Sequence, residues 1–130
     1  MTTPSDRRYT REHEWVLLEN GGRALAGITH HAQDQLGDIV YLDLPKPGTP
    51  LKQSQKLGEV ESVKAVSDIY SPVSGEVVEV NAEVVAHPEV VNQDPYGRGW
   101  LLRVAISDRA ELEGLLSADE YDHLVAKQGH

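Results

Sequence analysis

The chain has 130 residues, 39% of them hydrophobic and 25% charged, which suits one folded domain, residues 1–130, rather than a disordered chain. Its net charge of −9 repels nucleic acid and anionic membrane surfaces, so neither is an expected partner. Cysteine is absent, which excludes disulfides, a thiolate nucleophile and Cys metal sites, and leaves sulfur redox chemistry to an imported cofactor.

In chain order, residues 1–8 are polar and expected to be flexible. The opening stretch to Trp15 has no apolar run of signal-peptide kind. It carries Arg7, Arg8 and Arg11 but also Asp6, Glu12 and Glu14, unlike a transit peptide. No run approaches the ~20 apolar residues of a membrane span. A cytoplasmic protein is the expectation.

"EWVLLE" (14–19) and "RALAGIT" (23–29) read as strands joined by "NGG", a hairpin signal. "THHAQDQLGD" (29–38) reads as a short helix with Thr29 as N-cap and Gly37 as terminator. "DIVYLDLP" (38–45) alternates as a strand, and "PKPGTP" (45–50) is a loop. "KLGEVESV" (56–63), a tight turn at Lys64 and "VSDIYS" (66–71) form a second hairpin. "GEVVEVN" (75–81) and "WLLRVAI" (100–106) are further strands around a turn-rich loop at 86–99. Residues 107–128 form a C-terminal helical segment: "SDRAELEGLL" starts with a capping pattern, and Ser117 with Glu120 forms a capping box for "SADEYDHLVAKQ". The pattern by itself supports a mainly β domain with a short internal helix and C-terminal helices.

"GEVESVKA" (58–65) and "GEVVEVNA" (75–82) share Gly, Glu, Val, Val and Ala in register. They are either two halves of a repeat or the ordinary likeness of Val-rich strands. In a repeat, Lys64 stands where the second copy has Asn81. His13, His30 and His31 lack metal-ligand spacing, and solvated or capping roles suit them better. No residue is nominated as a nucleophile, and the residues by themselves leave an enzyme open.

Lys64 is the residue that stands out. At a hairpin tip a lysine usually serves solubility. Here Val63 and Val66 bracket it as stiff β-branched mounts, Ser62 and Ser67 are small enough to leave the ammonium accessible, and Glu61 and Asp68 set carboxylates on either side. A primary amine on a rigid exposed turn can be acylated, which removes its charge.

The motifs "HEW" (13–15), "GIT" (27–29), "AQDQLGDIVY" (32–41), "LP" (44–45), "ESVKAVSDIYSPVSGEV" (61–77), "VN" (80–81) and "VNQDPYGRGW" (91–100) keep order and spacing. Together they resemble the glycine cleavage system H proteins, the lipoyl carriers, from about Tyr9 to Leu116. The resemblance implies a barrel-sandwich hybrid, the fold of lipoyl and biotinyl carriers. It implies Lys64 as the lipoyl attachment site within the motif Glu61, Ser62, Val63 and Ala65. It implies lipoate as an amide-linked cofactor and no catalysis by the chain itself. The implied partners are glycine decarboxylase, the tetrahydrofolate-dependent aminomethyltransferase, dihydrolipoyl dehydrogenase and a lipoate-attaching enzyme. Val63 and Ala65 flank Lys64 where biotin carriers place Met and 2-oxoacid dehydrogenase domains place Asp before the lysine.

A lipoyl-lysine arm spans about 14 Å. The aminomethyl group it would carry is labile to water and needs shelter between enzymes. Carboxylates suit its protonated amine: Glu14 and Asp68 first, then Glu12. Relatives can place a His in the "AQDxLG" helix. Here Gln35 stands there, leaving His31 or Gln35 as substitutes. The alternatives are a lipoyl carrier for another lipoate pathway and an unmodified interaction scaffold.

Overall fold

The structure is a computed structural model that describes residues 2–128. Nine strands form two antiparallel sheets. The larger sheet contains β1 (Arg8–Tyr9), β2 (Glu14–Leu18), β3 (Arg23–Ile28), β9 (Leu102–Ile106), β8 (Gly75–Val80) and β5 (Pro50–Leu51), in that spatial order. The smaller sheet has β4 (Ile39–Asp43), β6 (Lys56–Ser62) and β7 (Val66–Tyr70), with β6 central. The sheets face each other without closing into a barrel. Between them lies an aliphatic core that includes Val16, Ile39, Leu42, Val60, Ile69, Val77, Leu102 and Val104. Burying each such side chain contributes roughly 1.5–3 kcal/mol.

Strand β2 separates this core from a second one. Val16 faces the aliphatic cluster, while Trp15 joins Tyr9 and Tyr121 on the other side. The Trp15 indole lies over Gly27, its partner across the strand pair, and its Nε1–H donates to the carbonyls of Ile28 and Pro95. Arg7 stacks its guanidinium 4.6 Å from the Trp15 ring and donates to the Tyr96 carbonyl. Glu14 shares a strand face with Val16, two residues away, and so points toward the aliphatic core.

Helix α1 (His30–Leu36) begins as expected, with Thr29 Oγ1 accepting from the Ala32 N–H. It ends at Gly37, whose φ of 78° favours a residue without Cβ. Strand β4 departs from strict alternation. A bulge between Ile39 and Tyr41 turns both Ile39 and Leu42 inward and leaves Val40 and Tyr41 outside. The 86–99 stretch is more ordered than a loop. It contains α3 (Glu89–Gln93), preceded by α2 (Ala82–Ala86), each five residues long. Asn81 caps α2 by accepting from the Glu83 N–H, which overrides the strand preference of its valines. The segment after β9 is a 3-10 helix, Arg109–Gly114, capped by Asp108. Helix α4 (Ala118–Gln128) carries the expected Ser117–Glu120 capping box.

The two echoing segments fall in different sheets, as β6 and β8. Gly58 and Gly75 open them in the same role: a Cβ at either would strike the carbonyl oxygen of the adjacent strand, Asp43 or Ala105. From there the copies diverge, one into the Lys64 turn and the other into the Asn81 cap.

Candidate functional site

The β6–β7 hairpin carries Lys64 at its tip, between paired Glu61 and Val66. Its turn is held from inside by Ser62. The Ser62 N–H donates to the Ala65 carbonyl at 2.8 Å. The Ser62 hydroxyl accepts from the backbone N–H groups of Lys64 (3.3 Å) and Ala65 (3.1 Å). Ser62 is buried. It is therefore the mount of the turn and not clearance for the amine; its side chain replaces backbone partners that the tight turn lacks.

The valines behave in the opposite way to a mount. Val63 and Val66 are 68% and 59% exposed, whereas Val60 and Ile69 are buried. Ala65 and Ser67 are exposed as well, and Glu61 lies outward between Tyr41 and Val66. Among the described residues the Lys64 ammonium has no ion-pair partner. Its stem passes beside Gly37, at the end of α1.

The hairpin is tied to α1 through residues the sequence reading missed. The Val63 N–H donates to the Asp38 carbonyl at 3.0 Å. Asn92, on α3, accepts from the Ile39 N–H at 2.9 Å and donates to the Gly37 carbonyl at 2.8 Å. It also donates to the side-chain oxygen of Gln33 at 3.0 Å. One amide thus joins the end of α1 to the start of β4, directly beneath the lysine turn. Asn92 lies in the "VNQDPYGRGW" motif, but nothing local connects it to Lys64.

Glu14 is 3% exposed. One carboxylate oxygen accepts from the Thr10 hydroxyl at 2.6 Å, and the other from the Tyr70 N–H at 3.2 Å. Strand β7 is an edge of its sheet, so Glu14 satisfies an edge N–H that no strand covers. Burial pushes the Glu14 pKa up to about 7, against the opposing pull of the Thr10 and Tyr70 hydrogen bonds. Glu12 lines an open groove with Ser54 and Tyr70, beside this carboxylate. Asp68 projects from β7 two residues before Tyr70 and is held at 3.2 Å by the Lys56 ammonium. Glu12, Glu14 and Asp68 therefore gather around Tyr70.

His31 and Gln35 do not join them. The His31 ring packs 4.7 Å from His13, and His13 Nδ1 lies 2.7 Å from the Tyr121 hydroxyl, which also bonds Thr29 Oγ1 at 2.7 Å. Burial first, then His31, holds the His13 pKa below the usual histidine range. His13 has a φ of 72°, a left-handed turn that sends its ring to Tyr121 and Glu14 the other way. Gln35 is exposed on α1, two residues before Gly37. Among the described residues no three His, Asp or Glu side chains are placed to hold a metal ion.

The comparisons with known proteins agree with one another. A family model described as "Glycine cleavage H-protein" matches residues 7–128. The chain is 54% identical to the "Glycine cleavage system H protein" of Symbiobacterium thermophilum over 119 residues, 92% of each chain. It is 51% identical to that of Carboxydothermus hydrogenoformans, over 97% of this chain and 96% of that one. A crystal structure of a glycine cleavage system H protein from Mycobacterium marinum superposes with a TM-score of 0.85 at 39% identity, covering 98% of this chain and 99% of that one. Near-complete coverage in sequence and in fold leaves one conclusion: the chain belongs to the glycine cleavage H-protein family.

Proposed function

We propose that this chain is a lipoyl carrier of the glycine cleavage system, with lipoate amide-linked to Lys64. In this reading it moves an aminomethyl group from glycine decarboxylase to the tetrahydrofolate-dependent aminomethyltransferase, and dihydrolipoyl dehydrogenase re-oxidises it. It works in the cytoplasm and catalyses nothing itself. The observation that carries the reading is Lys64: an exposed amine on a turn locked by Ser62, without an ion-pair partner among the described residues, in a chain of this family.

The residues present fit the group. Acylation removes the lysine charge, and here that strands no carboxylate, because no acid among the described residues pairs with Lys64. Bound there, lipoate supplies a disulfide that accepts and releases sulfur-linked groups, chemistry the Cys-free chain lacks.

The chain's own residues then hold and shelter. Ser62 fixes the direction in which Lys64 leaves the surface. Asp68 lies on β7 two residues beyond Val66, about 7 Å from the base of the lysine turn and within the span of a lipoyl-lysine arm. Glu12 and Glu14 lie beyond it around Tyr70. A cation arriving there favours the ionised form of Glu14 and lowers its pKa. Glu14 is thus a buried acid that becomes a counter-ion when an amine needs one.

The test is intact mass of the chain from a lipoate-competent host. A lipoyl adduct mapped to Lys64 and lost in Lys64→Arg supports the carrier. A chain that stays unmodified in that host refutes it and favours an interaction scaffold.

A further inference from the structure

We infer that the outward face of the three-stranded sheet is the docking surface for the enzyme that acylates Lys64. This rests on the attachment reading above and adds the surface that reads it. Six large hydrophobic side chains are exposed among the described residues, and four of them, Val40, Tyr41, Val63 and Val66, surround the lysine turn. Such clustering marks an interaction site, because solvated apolar surface is otherwise scattered.

Strand register shows how the collar is built. Tyr41, Glu61 and Val66 are partners in one row across β4, β6 and β7, and all three face solvent. The β4 bulge adds Val40 beside Tyr41. The next outward row is Asp43, Glu59 and Asp68, about 7 Å further along the strands. Lys56 bridges Glu59 and Asp68 and offsets part of that charge. The face therefore carries an apolar band at the lysine and an acidic band beyond it. The complementary partner has an apolar mouth with basic side chains set to one side.

Distance selects the partner. A lysine side chain is only about 6 Å long, five bonds from Cα to Nζ. An enzyme that works on Nζ must close over the turn and cover its neighbours. Enzymes that work on the far end of a ~14 Å arm need not touch the collar. In the acylation itself, ATP activates the lipoyl carboxyl as a mixed anhydride with AMP and releases pyrophosphate. Deprotonated Nζ then attacks that carboxyl, the amide forms, and AMP leaves.

The test follows acylation of the purified unmodified chain by a lipoate ligase with lipoate and ATP, read by intact mass. The double variant Val63→Ser with Val66→Ser should lose about tenfold in kcat/KM, mainly through KM. Asp43→Asn with Glu59→Gln should flatten the fall of rate with added salt. Lys64→Arg should compete with the wild type, and should stop competing once the two valine substitutions are added. Val63, Val66 and Asp43 are exposed and Glu59 is half-buried with its carboxylate on the exposed Lys56, so thermal midpoints should stay within about 2 °C of the wild type. Rates within about twofold of the wild type for both pairs overturn the inference while leaving lipoylation intact. Normal acylation with slowed exchange at the decarboxylase also overturns it and assigns the collar to that enzyme. Normal acylation with lost self-association overturns it in favour of a second copy. A wild-type chain that takes no lipoyl group overturns the attachment reading itself, a result distinct from any difference between variants.

Discussion

The Glu14 carboxylate accepts the backbone N–H of Tyr70 at 3.2 Å, joining β2 of one sheet to the open edge of β7 in the other. This bond places a buried acid against the strand that descends from Lys64. It also sets a charge problem, because Leu57, Ile69 and Leu102 share the space around that carboxylate. Folding raises its pKa from 4.5 to about 7.

The folded chain therefore holds the Glu14 proton more tightly than the unfolded chain. The associated stability is fully present below about pH 4.5 and is lost as pH rises through 7, a change of about 3 kcal/mol. Glu14→Gln mimics the protonated acid: its amide donates to Thr10 Oγ1 and its oxygen accepts from Tyr70. Urea unfolding at pH 4.5 and pH 8 should show Gln gaining about 3 kcal/mol on the wild type between the two. Parallel curves would mean that Glu14 does not titrate as a buried group.

Ser62→Ala leaves the Lys64 and Ala65 N–H groups without their side-chain acceptor. The expected cost is about 1–2 kcal/mol, with faster amide exchange confined to residues near the tip. Hydrogen exchange with mass readout checks both. An unchanged exchange pattern would show that the turn stands without the hydroxyl.

Asn92→Ala removes the acceptor of the Ile39 N–H and the donor to the Gly37 carbonyl. Loss of these partly buried bonds should cost about 2–3 kcal/mol in thermal or urea unfolding. Asn92→Asp should retain the Ile39 bond and set a carboxylate against the Gly37 carbonyl, so it should rescue only part of the loss. Full rescue would show that the Gly37 bond contributes nothing.

Tyr121→Phe deletes the hydroxyl shared by His13 and Thr29 while keeping the ring stacked 4.9 Å from Tyr9. The expected loss is about 1–2 kcal/mol. Because His13 holds the left-handed turn before Glu14, the Glu14 titration should also move, read from its carboxyl carbon shift in NMR. A stability loss with an unmoved titration would confine Tyr121 to helix docking.

Much of the fold is written locally. The Asn-Gly turn, the Thr29 cap, the Gly37 stop and the Ser117–Glu120 box involve neighbours a few residues apart, so the sequence pattern is enough to find them. The short helices α2 and α3 escaped it, because five residues are too few for a helical period and their valines favour strands. The two-residue strands β1 and β5 escaped for the same lack of period.

The site divides in the same way. Lys64 at a hairpin tip, the two strands that carry it and the acids near it are determined by residue order alone. Which side each residue faces is not, because alternation gives two faces and only packing decides which one water sees. Tertiary structure alone turned Val63 and Val66 outward and Ser62 inward. It buried Glu14 against an edge strand 56 residues away, and it drew His31 to His13, beside Tyr121, instead of to the acids. Those outcomes depend on how the two sheets and α4 meet, and contacts of that range leave no local mark in the chain.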